Sequence, residues 1–394
     1  MHTKITAAIK SLAIVVPLAP LVSLGVLSVT PAAAQSVAPL AALEAVSPSV
    51  YHLYVSPGGD DRNDGSQRTP FRTIDNAAAA AKPSTTVHVA PGQYGNTTIR
   101  RSGTASGRLR IVSDEKWREK IVGTGADGHL TNLGNHVDIV GFDVSGSGRL
   151  GIVNFGSYTR IEGNHVHDLK ISGRCMGLGG AGIVNAGYVA TDADIVGNVV
   201  HDIGVPGKCN GVQGIYHANL RGRVVNNLVY RAAAWGIHLW HAASNVVVAN
   251  NTVFQNGGPW IGGGILIGNG DAPGGIVHTG TTVANNIIYD NPGAAIKQYC
   301  YAGVACIGSG NSTVDKLVYR NGSGISLKKG AAGGTIDADP QFVDYRPGGA
   351  GDYRLRSSSP ALDQGSGASA PAMDIDGRAR PLGRGIDLGA YESH

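Results

Sequence analysis

The chain has 394 residues, 59 of them Gly, with 15% charged and 6% aromatic residues and a formal net charge of +4. So much Gly without a Gly-X-Y period excludes collagen and points to many tight turns. A charge this small, with no dense basic run among aromatics, argues against a nucleic-acid partner. The length would hold two or three ordinary domains, or one elongated β fold.

Residues 1–34 read as an export signal. Lys4 and Lys10 open it, Ser11 to Val29 is largely apolar, and Ala32-Ala33-Ala34 offers a small-residue cleavage site. Pro17, Pro20 and Pro31 interrupt the apolar run, so removal is favoured over anchoring. The expectation is a mature chain without a membrane span, in the periplasm or outside the cell. Residues 35–50, rich in Ala, Pro and Ser, read as a flexible leader. All four cysteines follow the signal. Those at Gly173-Arg174-Cys175-Met176-Gly177 and Gly207-Lys208-Cys209-Asn210-Gly211 sit in similar loops. If one coil separates these loops, Cys175 and Cys209 stack and can bridge, while Cys300 and Cys306 share a short loop. Export favours disulfides over metal ligation or reactive thiols.

Folded sequence is expected from Tyr51. Leu53-Tyr54-Val55 reads as a strand, Ser56 to Gly65 as a turn cluster, Asp75 to Ala81 as an Ala-rich helix, and Thr86 to Val89 as another strand. The run Tyr54-Val55-Ser56-Pro57-Gly58-Gly59-Asp60, Asn63-Asp64-Gly65, Pro70-Phe71-Arg72-Thr73-Ile74 and Val89-Ala90-Pro91-Gly92-Gln93-Tyr94 resembles the opening of pectate-lyase-like parallel β-helix proteins. That resemblance implies that the short helix caps the open end of the solenoid. It makes Asp60, Asp61 and Asp64 structural, with calcium as the alternative.

From Val137 two strand types alternate. One carries Asn at positions 164, 198, 227, 251 and 286. The other begins at Gly151-Ile152, Gly182-Ile183, Gly214-Ile215, Gly236-Ile237, Gly264-Ile265, Ala295-Ile296 and Gly324-Ile325. A repeat of this length with short strands and Gly/Asn turns predicts an all-β, single-stranded, right-handed parallel β-helix. Its Ile and Val would stack inward and its Asn residues would form a ladder. The predicted solenoid runs over 51–335, with the short capping helix at its start. Residues 336–394, which include Asp339-Pro340, Ser359-Pro360 and Asp374-Ile375-Asp376-Gly377, resemble an irregular closing cap.

Alternation along a strand sets the candidate site. If each Ile after Gly points inward, Val153, Val184, Tyr216, His238, Leu266 and Lys297 form one outward column. Phe155, Ala186, Ala218, Trp240, Gly268 and Tyr299 form the next. In relatives of this fold such a face is the floor of a carbohydrate groove. His167-Asp168, His201-Asp202, Tyr230-Arg231, Gln255-Asn256 and Asp290-Asn291 would line one edge of it. For β-elimination from a uronic acid glycan, His238 is the candidate base and Tyr216 the candidate acid. Arg231 or Lys297 would neutralise the carboxylate. His217, Trp240, His241, His201, Asp202, Trp260 and Tyr299 are candidate substrate contacts.

The resemblance limits this reading. Pectate lyases use clustered Asp for calcium and a Lys or Arg base, whereas Asp192, Asp194, Asp202 and Asp271 are scattered. Calcium therefore stays open and no metal ligand is assigned. The Asp-Asp and Gly-His-Gly signatures of polygalacturonase-like hydrolases are absent, which leaves a lyase or C5-epimerase ahead of a glycosidase. The resulting expectation is a monomeric exported enzyme acting on an acidic polysaccharide. The alternative is a non-catalytic glycan-binding or surface protein on the same scaffold.

Overall fold

The computed structural model describes residues 51–393 except Arg174, Leu178 and residues 271–275. The export signal, the leader and Asp271 lie outside them. Among the described residues, three parallel sheets run the length of the chain, with ten, nine and ten strands. We call them sheets A, C and B in that order. Each coil passes through A, then B, then C, so every strand pairs with its counterpart one coil away. In one coil the strands are Arg223–Val225, Leu228–Ala232 and Trp235–Leu239. This is a right-handed parallel β-helix.

The inward column is as the alternation requires. Ile152, Ile183, Ile215, Ile237, Ile265 and Ile296 are in register, and all are fully buried in one continuous core. A single coil has too few residues to bury these side chains alone, so stacking provides the hydrophobic stabilisation.

Polar ladders hold the corners. Asn164, Asn198, Asn227, Asn251 and Asn286 are completely buried between sheets A and B. The first four each donate from Nδ2 to the next amide oxygen at 2.9–3.0 Å, and all five satisfy backbone carbonyls. The residue before each ladder Asn lies in the left-handed region: Gly163, Gly197, Asn226, Asn250 and Asn285 have φ between 52° and 63°. Only Gly and Asn adopt that geometry at little cost, which accounts for the Asn-Asn and Gly-Asn pairs. Two more ladders exist. Asn256, Asn291 and Asn321 stack where sheet B turns towards sheet C. Asn132, Asn154, Asn185 and His217 stack at the end of sheet C.

The N-terminal end of the core is covered, and the C-terminal segment lies along one side of the solenoid. At the N-terminal end, the helix Ile74–Ala80 buries Ile74, Ala77 and Ala78, with Thr73 as its N-cap. Asp61 accepts from the amides of Arg72 and Thr73, Asp64 from Ser66 and Asp60 from Arg62. These carboxylates therefore fasten a turn. Towards the C-terminus, Phe342, Tyr353, Leu355, Ala361 and Leu388 pack over Leu228, Tyr230, Phe254, Ile287, Tyr289 and Leu317 on the outer face of sheet B. Arg380 and Glu392 form a fully buried ion pair within this segment. Disulfides join Cys175 to Cys209, 34 residues apart, and Cys300 to Cys306.

Replacing Asn227 by Ala should leave buried carbonyls and its neighbours' amides unpaired. The expected loss is about 1–3 kcal/mol, read as a lower midpoint in urea unfolding, whereas Ala at an exposed position such as Gln67 should change it little.

Candidate functional site: the outer face of sheet C

The outward column predicted from alternation exists. Val153, Val184, Tyr216, His238, Leu266 and Lys297 are Cα partners across successive strands of sheet C. The earlier strands present an apolar patch of Val153, Ala181 and Val184. The later ones carry rings. The Tyr216 and His238 rings meet edge to face with centroids 5.1 Å apart, and His238 meets Trp240 at 5.0 Å. Trp240 lies 5.7 Å from Tyr301 and 6.4 Å from Tyr299. His241 packs on Tyr188 at 4.0 Å. Gly268 makes room for this packing, since a Cβ there would come within 2.8 Å of the Trp240 ring.

The sequence-derived residues do not converge on one point. Tyr216 and Lys297 are three strands apart in the same column, about 14 Å at the usual strand spacing. They would touch different sugars of a bound chain. Arg231, His201 and Asp202 belong to sheet B, on another face of the solenoid. There the Arg231 Nε donates to Asp202 Oδ1 at 2.5 Å. The expected groove edge is thus not formed: Asn256 and Asn291 point inward as ladder members, and the His-Asp pairs face out from sheet B. The left-handed turn at Asp202 and Arg231, φ 53° and 56°, separates these residues from the sheet C strand that follows.

Three further expectations change. His217 is wholly buried, accepting from Asn185 at Nδ1 and donating from Nε2 to the Arg221 carbonyl, so it belongs to the corner ladder and cannot touch substrate. Trp240 is only 9% exposed and acts as the bed beneath Tyr299 and Tyr301 rather than as an open stacking face. His238 is equally enclosed, and neither ring nitrogen has a hydrogen-bond partner among the described residues. Burial pushes its imidazole down to about 3, with His241 and His278 adding to the effect. A side chain so reluctant to take a proton is a weak base.

The accessible groups lie around this bed. Tyr188, Tyr299, Tyr301 and Trp260 are 55%, 39%, 53% and 95% exposed. A shallow depression is lined by Trp235, Pro259, Trp260, Pro292 and Lys297. The Lys297 Nζ also lies 5.5 Å from the centre of the Tyr299 ring. Tyr188, Tyr301 and Trp235 were not found by the repeat pattern. The first two sit in loops outside the strand alternation, and Trp235 precedes the Gly-Ile pair that marks the strand.

Comparison with known proteins agrees with this architecture. Residues 127–316 match a family described as a right-handed β-helix region, and residues 57–102 match one described as a protein of unknown function. A pectate lyase, Pel9A, superposes with a TM-score of 0.57 at 15% identity, over 88% of this chain and 97% of that one. A rhamnogalacturonan lyase gives a TM-score of 0.48 at 16% identity, over 76% and 92%. An uncharacterized protein of Bacillus subtilis (strain 168), YwoF, is 44% identical over 54 residues, and the match spans 14% of this chain and 12% of YwoF. These matches agree on the fold, a right-handed parallel β-helix.

Acid should weaken this fold through its buried imidazoles. Burial pushes His217 down to about 4 and His238 to about 3, whereas in the unfolded chain both titrate near about 6.5. Between these values the unfolded state binds more protons, so stability falls as pH drops from about 6.5 towards 4. Thermal melts across that range should show the loss. His217→Asn, which continues the Asn ladder, should reduce its slope.

Proposed function

We propose that this chain is an exported, polysaccharide-active enzyme that binds an acidic glycan along the outer face of sheet C and cleaves it by β-elimination. The observation that carries the reading is the grouping of Lys297 with exposed rings: its amine lies by Tyr299 and shares a depression with Trp235 and Trp260. Indole and phenol faces suit sugar rings, and an ammonium suits a uronate carboxylate. Further support comes from the pectate lyase likeness in fold, and from two disulfides, which suit an oxidising compartment.

In this reading the chemistry centres on Lys297 and Tyr299 rather than on Tyr216 and His238. Lys297 and Tyr299 are two residues apart on one strand, so both face the same sugar. The ammonium neutralises the carboxylate and so acidifies the neighbouring C–H. The Tyr299 oxygen takes that proton as its own hydroxyl proton passes to the leaving oxygen and the C–O bond to the leaving sugar breaks, so the phenol is regenerated. Tyr216, His241 and Tyr188 extend the binding face towards the earlier coils, and Trp260 stacks at the other side.

Incubation with pectate, alginate and rhamnogalacturonan, followed by ultraviolet absorbance of the unsaturated product, tests the proposal. Tyr299→Phe should lower kcat by about 10²–10⁴-fold, and Trp260→Ala should raise KM with little change in kcat. Binding without product on any acidic glycan would instead make this a glycan-binding protein. Undiminished turnover in both Lys297→Ala and Tyr299→Phe would refute the assigned centre.

A further inference from the structure

A second cluster lies on the outer face of sheet B, away from the glycan face. The strands Asp143–Ser147, His165–Lys170 and Val199–Ile203 run side by side there, with His165 opposite Asp143 and His167 opposite His201. His165 and His167 are two residues apart, so both point outward with His201. Ring centroids are 4.0 Å apart for His165 and His167, and 4.9 Å for His165 and His201. The three side chains are 15–22% exposed. Trp117 packs beside His165, and Tyr230 stacks on His201.

Each imidazole has its own carboxylate at Nδ1. His165 meets Asp143 at 3.0 Å, His167 meets Asp168 at 2.8 Å and His201 meets Asp202 at 2.7 Å. A carboxylate accepts only, so each Nδ1 carries the proton and the neutral rings of His165 and His201 are left with a bare Nε2, whereas His167 faces a carboxylate at both nitrogens and would release its Nε2 proton on binding a metal. The Nε2 atoms of His165 and His201 nevertheless lie 2.8 Å apart. Two lone pairs that close repel unless a cation sits between them, either a proton or a metal ion. His167 Nε2 turns towards the same place, 3.0 Å from Asp143 Oδ2, and one ligand atom from each of the three rings lies within 4.8 Å of the others.

We propose that His165, His167 and His201 form a binding site for a divalent transition-metal ion, best suited to zinc, with Asp143, Asp168 and Asp202 orienting the three imidazoles. Neutral imidazole selects zinc and its transition-metal neighbours, whereas calcium and magnesium take oxygen. Two nitrogens on one tetrahedral zinc, each at about 2.0–2.1 Å, sit roughly 3.3 Å apart, so the observed pair needs to open only slightly. His167 would exchange its Asp143 contact for the metal and keep Asp168. Carboxylates behind ligating histidines fix the tautomer and raise donor strength. Arg231, bonded to the other oxygen of Asp202, holds that carboxylate in place. Three protein ligands leave a fourth position for water or a small ligand.

The test uses the full mature chain, stripped of metal and dialysed. Zinc titration by calorimetry should give one site per chain, and cobalt(II) should give the intense visible bands of a tetrahedral site. His165→Ala and His201→Ala should abolish both. Asp168→Asn alters an exposed carboxylate and spares the fold; it should weaken zinc binding about 10–100-fold. Circular dichroism melts report whether each variant is folded, and if both His variants unfold, Asp168→Asn decides. The other outward pair, His52 and His88, is the control: His52→Ala should leave binding intact. A wild-type chain that takes up no zinc, because a proton bridges the pair, would overturn the proposal. So would uptake lost in His52→Ala or unchanged in folded His201→Ala or Asp168→Asn.

Discussion

A coil of this solenoid has no interior of its own. Its Ile and Val side chains leave water only when another coil lies above and below, and its corner backbone is satisfied only by the same stacking. The Asn ladder combines the two demands. At each step one side chain donates to the next Asn and to carbonyls buried at the corner, while its own oxygen accepts from the coil before. The hydrophobic column can tolerate substitutions of similar volume. The amide column is less permissive, because a buried donor or acceptor without its partner carries the whole desolvation penalty.

This constraint divides the residues into two sets. Inward positions are committed to stacking, and outward positions are left to vary. The division explains why so much of the fold was legible in the sequence. The Gly-Ile and Asn-Asn recurrences are direct records of inward register and left-handed corners, and the column from Val153 to Lys297 follows from counting by two. The site was less legible. Alternation says that His238 and Trp240 face out of the core, but not that neighbouring rings then cover them. Nor does it say which sheet a residue after a corner joins. Asp202 and Arg231 lie one step short of the turn into sheet C, and that step places them on a different face. His217 shows the opposite case. It sits where Asn154 and Asn185 sit in earlier coils, so the pattern already marked it as a corner residue.

The two outward faces are chemically distinct. Sheet C carries phenols, indoles and one lysine amine around a shallow depression, a surface suited to a chain of sugars. Sheet B carries three imidazoles backed by carboxylates and then, further along, aromatic residues hidden beneath the C-terminal segment. Parallel stacking makes both arrangements possible. It places side chains of successive coils about 4.8 Å apart, a spacing at which rings pack on one another and imidazoles converge.

The C-terminal segment also changes the connectivity of the stack. Asn226, Asn250 and Asn285 each donate a side-chain hydrogen bond to it, reaching Met373, Asp387 and Ser366 across 147, 137 and 81 residues. A simple solenoid is a linear chain of neighbours, and any coil can in principle part from the next without disturbing the others. Here three successive coils share one long-range strap. Their separation is therefore a joint event, and this stretch of a one-dimensional object acquires the cooperativity of a globular one.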